Sequence, residues 1–361
     1  MKVTIFISSL EGGGAERVVC NLSNYLLENG ENVNIVIFKP GDIKYDLNKN
    51  VKVHSLVSAQ DFNNNTIKKY HLLYRELKKF IKQNKTDCYL VFTETPILLL
   101  LLLKSIIKVP VIISERNDPD SYIKPIKILL KILLRRSDGY VFQTDTVKSW
   151  YKKYTKKKQM WVIPNAINDE FINQKNDDIK VKKIVAVGRL ETQKNYPMLL
   201  KAFSMIDKKY DEYKLEIYGI GPLEAEIKNM IVELGIEQRV ILHGFSKSIQ
   251  KEIKNASLFV MTSTHEGMPN ALIEAMALGL PCVVTDCAGG GPRYLINDGI
   301  NGFLFPVDDV KLLKTRIEMV LSDPILAKTL STNAIKIQDR LNPKKIYKQW
   351  HEVLKSIYIE N

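Results

Sequence analysis

The sequence predicts an α/β protein of two doubly wound, Rossmann-like domains. Three observations carry this. Short β-branched runs alternate with amphipathic helical segments through the whole chain, a pattern that gives parallel sheets. At 361 residues the chain is long enough for two cores of ordinary size. A polar stretch without periodicity, VIPNAINDEFINQKNDDIKVKK, divides the alternation in two.

In the first half, strands are expected at 2–8, 33–38, 89–92, 111–114 and 139–142. In the second they are expected at 183–187, 214–218, 239–242, 258–261 and 282–285. Helical spacing lies between them, for example at 15–29, 66–84, 195–207, 223–234 and 270–278. The linker falls at 164–180, which sets the domains at 1–164 and 165–341. The segment NPKKIYKQWHEVLKSIY then reads as a closing helix within 342–361, capped by Asn342 with Pro343 at its first position.

Apolar residues make up 45% of the chain and charged ones 26%, which are globular values. The greasiest stretch, PILLLLLLKSIIKVPVII, is interrupted by Lys104, Lys108 and Pro110 and reads as a buried helix followed by a strand. MKVTIFISSLEGGGAER reaches Gly12 directly after a strand-length run, unlike a signal peptide. Cys20, Cys88, Cys282 and Cys287 lack metal-type spacing, so reduced thiols and a cytoplasmic location are expected. Residues 1–164 carry 27 Lys+Arg against 15 Asp+Glu (+12), whereas 165–361 carry 26 against 25 (+1). Only the first half should be drawn to a polyanionic surface.

The first strand ends in SSLEGGGAERVVCNL. Glycines between a strand and a helix let backbone amides approach an anion, and the helix dipole reinforces them; a tight structural turn is the alternative. The third glycine of a dinucleotide fingerprint is here Arg17, and the second strand ends at Phe38–Lys39 without an acid, which argues against NAD. In VAVGRLETQKNYPMLL, Gly188 is followed by Arg189 and then Lys194, a pair that can clamp a phosphate from two sides. Gly219, Gly221 and Gly244 also sit at strand ends, where open parallel sheets bind ligands.

In HEGMPNALIEAMA, Glu266 and Glu274 stand eight positions apart, so both could point the same way from a single helix entry, Glu266 just ahead of it and Glu274 one turn in. A helix beginning near Asn270 aims its amides at an anion. Glu266 could then accept from sugar hydroxyls and Glu274 from a ribose diol; a solvated acidic face is the alternative.

These residues together resemble glycosyltransferase family four, retaining enzymes of the GT-B fold, in which two Rossmann-like domains face a central cleft. The motifs that carry the resemblance are GGGAER, VGRLETQKN, GIGP, HGF, the Glu-x7-Glu of HEGMPNALIE, DGINGFLFPVDD and the Trp350 helix. The resemblance implies a nucleotide-sugar donor on the second domain, an acceptor on the first, and a last helix crossing back to the first. Arg189, Lys194 and Glu266 would be catalytic, the two cations on the diphosphate and Glu266 on the transferred sugar. Glu274 would hold the ribose, with Gly188, Gly219, Met268, Pro269, Asn270, Ala271 and Leu272 lining the donor pocket. Gly13 and Gly14 would close over the diphosphate, with Glu16 and Arg17 nearer the acceptor. Where many relatives carry a histidine beside the sugar, Arg116 stands here; Glu115, Arg116 and Asn117 are the candidates for acceptor-side contact.

The implied reaction moves a glycosyl group, with retention, from a nucleoside diphosphate to a hydroxyl. The donor phosphate takes the acceptor's proton, and no enzymic carboxylate acts as nucleophile. The leaving group is anionic, so preorganised positive charge is the main catalytic term expected. No metal is expected: Asp118 and Asp120 imitate a metal-binding Asp-x-Asp but follow a first-domain strand. SERNDP and GGGPRYLI resemble segments of bacterial capsule, exopolysaccharide and lipid-linked-oligosaccharide enzymes. They suggest a UDP-sugar, an N-acetylhexosamine or galactose donor, and a polyprenyl-diphosphate-linked or other glycan acceptor.

IKPIKILLKILLRR interleaves apolar positions with Lys124, Lys127, Lys131, Arg135 and Arg136. VKSWYKKYTKKKQMW adds Trp150, Tyr151, Tyr154, Trp161 and six lysines. Such segments suit an anionic membrane surface, here the inner face of the cytoplasmic membrane, with a core-facing helix and solvated basic face as the alternative. No nucleic-acid module is present. The rival readings are a GT-B epimerase or phosphorylase, and a noncatalytic binder of polyanions or membranes.

Overall fold

The computed structural model describes residues 1–63, 66–116, 123–155, 158–174 and 181–359. The chain forms two compact units, one of Met1–Ala166 with Lys344–Asn361 and one of Ile167–Pro343.

The first unit holds seven parallel strands: β1 (Lys2–Ile7), β2 (Asn32–Ile37), β3 (Lys52–Ser55), β4 (Cys88–Phe92), β5 (Val111–Ser114), β6 (Gly139–Phe142) and β7 (Gln159–Val162), in the order β3-β2-β1-β4-β5-β6-β7. The central strands are continuous apolar runs because helices cover both faces of a parallel sheet. β4 is buried at all five positions and β1 at five of its six. Helix Gly14–Glu28 turns Val18, Leu22 and Leu26, four residues apart, into the core. Helix Thr66–Gln83 buries Leu73 and Leu77, and helix Glu94–Leu102 is buried along most of its length.

Helix Pro343–Ile359 starts where the sequence places it, and from Lys344 onward it belongs to the first unit. Trp350 is fully buried there, 5.9 Å from the Phe92 ring. Its removal would cost ~3–5 kcal/mol. His351 Nε2 meets Glu31 Oε1 at 2.6 Å in the same packing layer. Burial alone would raise the Glu31 carboxyl, but the N-terminal amine and His351 outweigh it and hold it below its usual range.

The second unit holds β8 (Val181–Val187), β9 (Lys214–Tyr218), β10 (Val240–Gly244), β11 (Ala256–Met261), β12 (Cys282–Thr285) and β13 (Phe303–Phe305), all parallel, in the order β10-β9-β8-β11-β12-β13. Sequential strands step outward from β8 to β10, and the chain then returns to place β11 on the other side of β8. The crevice above that reversal is where a doubly wound sheet binds its ligand. Capping follows sequence: Asp309 accepts from Leu312 N, and Asp323 accepts from Ile325 N and Leu326 N ahead of Pro324.

Three strands were not anticipated, β3, β7 and β13, and each is a sheet edge. An edge strand is short and only partly covered, so it lacks the apolar run that betrays a central one. β7 also splits the basic aromatic segment. Trp161 sits in this strand and packs over Gly139 of β6, apart from the helix Asp145–Lys152 that carries Trp150. The four cysteines are buried free thiols.

Candidate functional site

Both flanks of the second unit's reversal point carry the chemistry. β8 runs out into Gly188 and Arg189, and a turn at Thr192–Lys194 brings the chain to helix Tyr196–Ser204. β11 runs out through Thr262 and Ser263 to Glu266. The two exits meet: Lys194 Nζ lies 2.5 Å from Glu266 Oε1, with side chains only 16% and 10% exposed. Ser263 Oγ donates to the same Glu266 oxygen at 2.8 Å. Thr285 Oγ1, at the end of β12, donates to Ser263 O at 2.6 Å. Backbone and side-chain bonds lock the exits together, with Thr264 N donating to Gln193 O, Gln193 Nε2 to His265 O, and Thr262 Oγ1 to Lys194 O.

Glycines make this convergence feasible. A Cβ on Gly219, whose φ is +153°, would overlap the Gly188 carbonyl oxygen, and one on Gly188 would lie 2.9 Å from Lys194 Cε. Side chains on Gly289 and Gly291 would overlap the carbonyls of Glu266 and Gly267. The glycine run after β12 therefore lets the Glu266 turn seat directly on backbone. The charge of Glu266 is felt nearby. Burial first, then that charge, pushes the Cys287 thiol up to about 12 and the Tyr196 phenol far above its usual range.

Helix Asn270–Ala277 starts behind Pro269, and its first intrahelical bond is Ile273 N to Pro269 O at 3.1 Å. The amides before Ile273 have no acceptor within the helix, so this end is electropositive. Met268, Pro269, Leu272 and Glu274 are buried, while Asn270 and Ala271 are half-buried. Glu266 lies in the turn just ahead of the helix, as the sequence places it, and Glu274 lies inside the helix. Arg189 stands apart in character. Its side chain is 70% exposed, 3.1 Å from Glu191 Oε1.

In the first unit, Gly12, Gly13 and Gly14 lead from β1 into helix Gly14–Glu28. The carboxylate of Glu16 turns back on this loop, accepting from Gly12 N and from Ser9 Oγ, so Glu16 caps the turn. Arg17 is half-buried in the first turn of the helix. Ser8 at the end of β1 bonds Thr93 at the end of β4, and Thr93 holds a φ of +62°, an outlier for a β-branched residue.

Glu115 and Arg116 follow β5 and are buried. Glu115 accepts from Arg116 N and Tyr151 OH. The Arg116 guanidinium lies between the Phe92 and Trp350 rings, 5.2 Å from each, and Nη1 donates to Asn165 Oδ1 at 3.0 Å. Burial pulls its pKa down to about 9, which leaves it cationic at neutral pH. Arg116 is thus packed against the terminal helix. Asn117, with Asp118 and Asp120, lies outside the described residues.

Sequence reasoning missed Ser263, Thr285, Gln193 and Thr93, since isolated hydroxyls and amides carry no pattern. It also missed the exposed Ile220 and Phe245, which follow β9 and β10 at the same strand ends.

Residues 167–337 match the family described as Glycosyl transferases group 1, and residues 12–171 match Glycosyltransferase Family 4. One relative is 30% identical over 99% of both chains. It is the Campylobacter jejuni GalNAc-alpha-(1->4)-GalNAc-alpha-(1->3)-diNAcBac-PP-undecaprenol alpha-1,4-N-acetyl-D-galactosaminyltransferase. The chain belongs to glycosyltransferase family four. A second Campylobacter jejuni relative of this glycosyltransferase, N-acetylgalactosamine-N,N'-diacetylbacillosaminyl-diphospho-undecaprenol 4-alpha-N-acetylgalactosaminyltransferase, is 30% identical over 92% of this chain and 93% of its own. Among solved structures, Anabaena HepE in complex with UDP superposes with a TM-score of 0.85 at 19% identity, over 99% of this chain and 100% of that one. Sucrose-phosphate synthase of Thermosynechococcus elongatus gives 0.84 at 16% identity with complete coverage of both. This glycosyltransferase therefore has the GT-B fold.

Proposed function

We propose that this glycosyltransferase moves an N-acetylhexosamine, with retention, from its UDP-sugar to a hydroxyl of a polyprenyl-diphosphate-linked glycan. It would work in bacterial surface glycan synthesis, peripherally at the inner face of the cytoplasmic membrane. The observation that carries the reading is the contact of Lys194 with Glu266 at the reversal point of the second sheet, beside the electropositive start of helix Asn270–Ala277. The names of both Campylobacter relatives support N-acetylgalactosamine over galactose as the transferred sugar and an undecaprenyl-diphosphate carrier.

In this reading Lys194 is held ready by Glu266. An arriving diphosphate takes over the ammonium, and Glu266 is released to accept hydrogen bonds from the sugar's hydroxyls. Arg189 exchanges Glu191 for a phosphate oxygen, a small electrostatic loss for an exposed pair. The amides around Met268 to Leu272 complete the anion site, with Gly188 and Gly219 leaving room for the diphosphate, and Glu274 takes the ribose. As the glycosidic bond to phosphate breaks, negative charge grows on the leaving diphosphate, and these fixed donors stabilise it where it develops. The cations supply the counter-charge that a divalent metal supplies in other transferases, so the reaction proceeds without one. A donor phosphate oxygen accepts the acceptor hydroxyl's proton, the new bond forms on the same face, and no enzyme carboxylate is alkylated.

The test is transfer from UDP-GalNAc, with chelator present, to a purified undecaprenyl-diphosphate oligosaccharide, and anomeric assignment of the product by NMR. An α product, lost in Glu266→Gln and Lys194→Met, supports the reading. A β product would remove retention. A wild type that transfers to no acceptor and releases no UDP would favour a noncatalytic binder.

A further inference from the structure

The helix Lys124–Leu133 is apolar on two sides. Ile126, Leu130 and Leu133 share the face that turns into the first unit's core, Leu130 and Leu133 being fully covered. Pro125, Ile128, Leu129 and Ile132 recur at the spacing of a single helical stripe and form a second face, pointed at solvent. Ile128 and Ile132 are 51% and 64% exposed, and Ile123 just ahead of the helix is 65% exposed. A surface helix ordinarily shows polar residues there. Here the lysines 124, 127 and 131 are confined to a stripe along one side of the outward face, and Arg135 and Arg136 follow it. From 123 to 137 there is no acidic residue.

The neighbouring helix Asp145–Lys152 extends the surface. Lys131 Nζ sits 5.7 Å from the Trp150 ring and 4.6 Å from the Tyr154 ring, both half-buried, and Lys152 and Lys153 beyond them are exposed. Isoleucines bordered by cations and amphipathic aromatics match a bilayer with anionic headgroups on both counts, apolar depth and charge. No described helix is long and apolar enough to cross a membrane, so the contact lies in the interfacial plane.

We infer that the outward face of helix Lys124–Leu133 inserts into an anionic lipid bilayer, with Ile128 and Ile132 below the headgroups and the lysine stripe among the phosphates. This orientation serves the lipid-linked acceptor proposed above and in that respect rests on it; the insertion itself is read from the helix alone. Electrostatics would bring the protein to the surface, and the isoleucines would make the contact outlast screening by salt.

All four native cysteines are buried, so a dye on Ile132→Cys reports this face and one on Ile325→Cys, 80% exposed in the second unit, serves as control. With vesicles of equal parts phosphatidylglycerol and phosphatidylethanolamine, the Ile132→Cys emission shifts to the blue and stays shifted in high salt, while the control does not move. Ile128→Ser/Ile132→Ser lowers the vesicle partition coefficient by at least ~10-fold. It leaves the melting curve, and transfer to a short water-soluble acceptor, unchanged. Lys124→Gln lowers binding ~5-fold at low salt only. Unshifted emission, or a serine variant that binds like wild type, would overturn the inference. So would a dimer in solution that the serine variant dissolves, since the face would then belong to a second copy. A protein that inserts but transfers to no acceptor sinks the proposed function and leaves the insertion standing.

Discussion

Lys194→Met removes the ammonium and keeps the stem. It strands Glu266, 10% exposed, with Ser263 as its remaining side-chain partner among the described residues and the bulk of Tyr196 and Cys287 nearby. Breaking one side of a pair this covered costs ~3 kcal/mol or somewhat more. Glu266→Gln strands the lysine less severely because a flexible ammonium can turn toward water, and the double variant recovers part of the loss. A coupling energy of ~1–3 kcal/mol is expected from the cycle. All three tryptophans, Trp150, Trp161 and Trp350, lie in the first unit. The loss should therefore appear as an earlier urea transition in far-ultraviolet circular dichroism while the tryptophan fluorescence transition stays in place.

Activity gives the second arm. Losing one charge from the site should lower kcat ~10²–10³-fold. Arg189→Gln makes the contrast, because its pair with Glu191 is too exposed to contribute more than ~1 kcal/mol. It should reduce kcat with both unfolding transitions unmoved. A coupling below ~0.5 kcal/mol would mean that the Lys194–Glu266 contact is not made in the free protein. Full activity in Lys194→Met would refute its place on the diphosphate.

Gly219→Ala sets a methyl group against the Gly188 carbonyl at a φ that only glycine tolerates; transfer should fall steeply and the circular-dichroism transition should move earlier. Glu216 is half-buried, which alone would raise its carboxyl, but Tyr218 OH at 2.6 Å, Lys183 and His243 hold it below its usual range. A depressed carboxyl stabilises the fold above its unfolded value and loses that contribution as pH falls through the folded one. The advantage of wild type over Glu216→Gln in urea titrations should accordingly be full at neutral pH and vanish below 4.5. Arg116→Met keeps the volume between Phe92 and Trp350 and removes guanidinium nitrogens, Nε and Nη2, that have no hydrogen-bond partner among the described residues. The tryptophan transition should stay within ~1 kcal/mol of wild type with acceptor kcat/KM unchanged; a tenfold fall in that ratio with intact stability would restore an acceptor contact for Arg116.

The sheet centres were legible because a strand covered on both faces is mostly apolar, as β4 (CYLVF) is along its whole length. Three of the four edges were not, because Lys52–Ser55 and Gln159–Val162 answer to water on one side and Phe303–Phe305 is only three residues long. Within the site, charged residues and glycines announced themselves: Arg189, Lys194 and Glu266 by type, Gly219 and Gly289 by the strand ends they follow. What the chain order hides is the pairing. Nothing in residues 194 and 266 says that they touch, since their 2.5 Å contact is created by the sheet reversal that lays β11 beside β8. Ser263 and Thr285 matter only because of that contact. Arg116 likewise hides its neighbours, since Phe92 and Trp350 come from far along the chain to meet it.

The uneven charge of the chain acquires meaning once the two tasks are separated. Residues 165–361 are nearly neutral, at +1, yet hold the proposed donor groups, so in that reading the diphosphate is attracted by a few close, partly covered charges and amides, not by a long-range field. Residues 1–164 carry +12, much of it on exposed helices, which is a field without a matching buried anion. Salt screens charges more than a Debye length of ~8–10 Å apart and hardly touches a pair at contact. Raising ionic strength should therefore slow the capture of the protein by anionic vesicles, although contacts already inserted persist, while leaving the KM for the UDP-sugar nearly constant. Equal salt sensitivity of both would mean that the donor is also gathered by the basic half, and the division of labour between the units would fail.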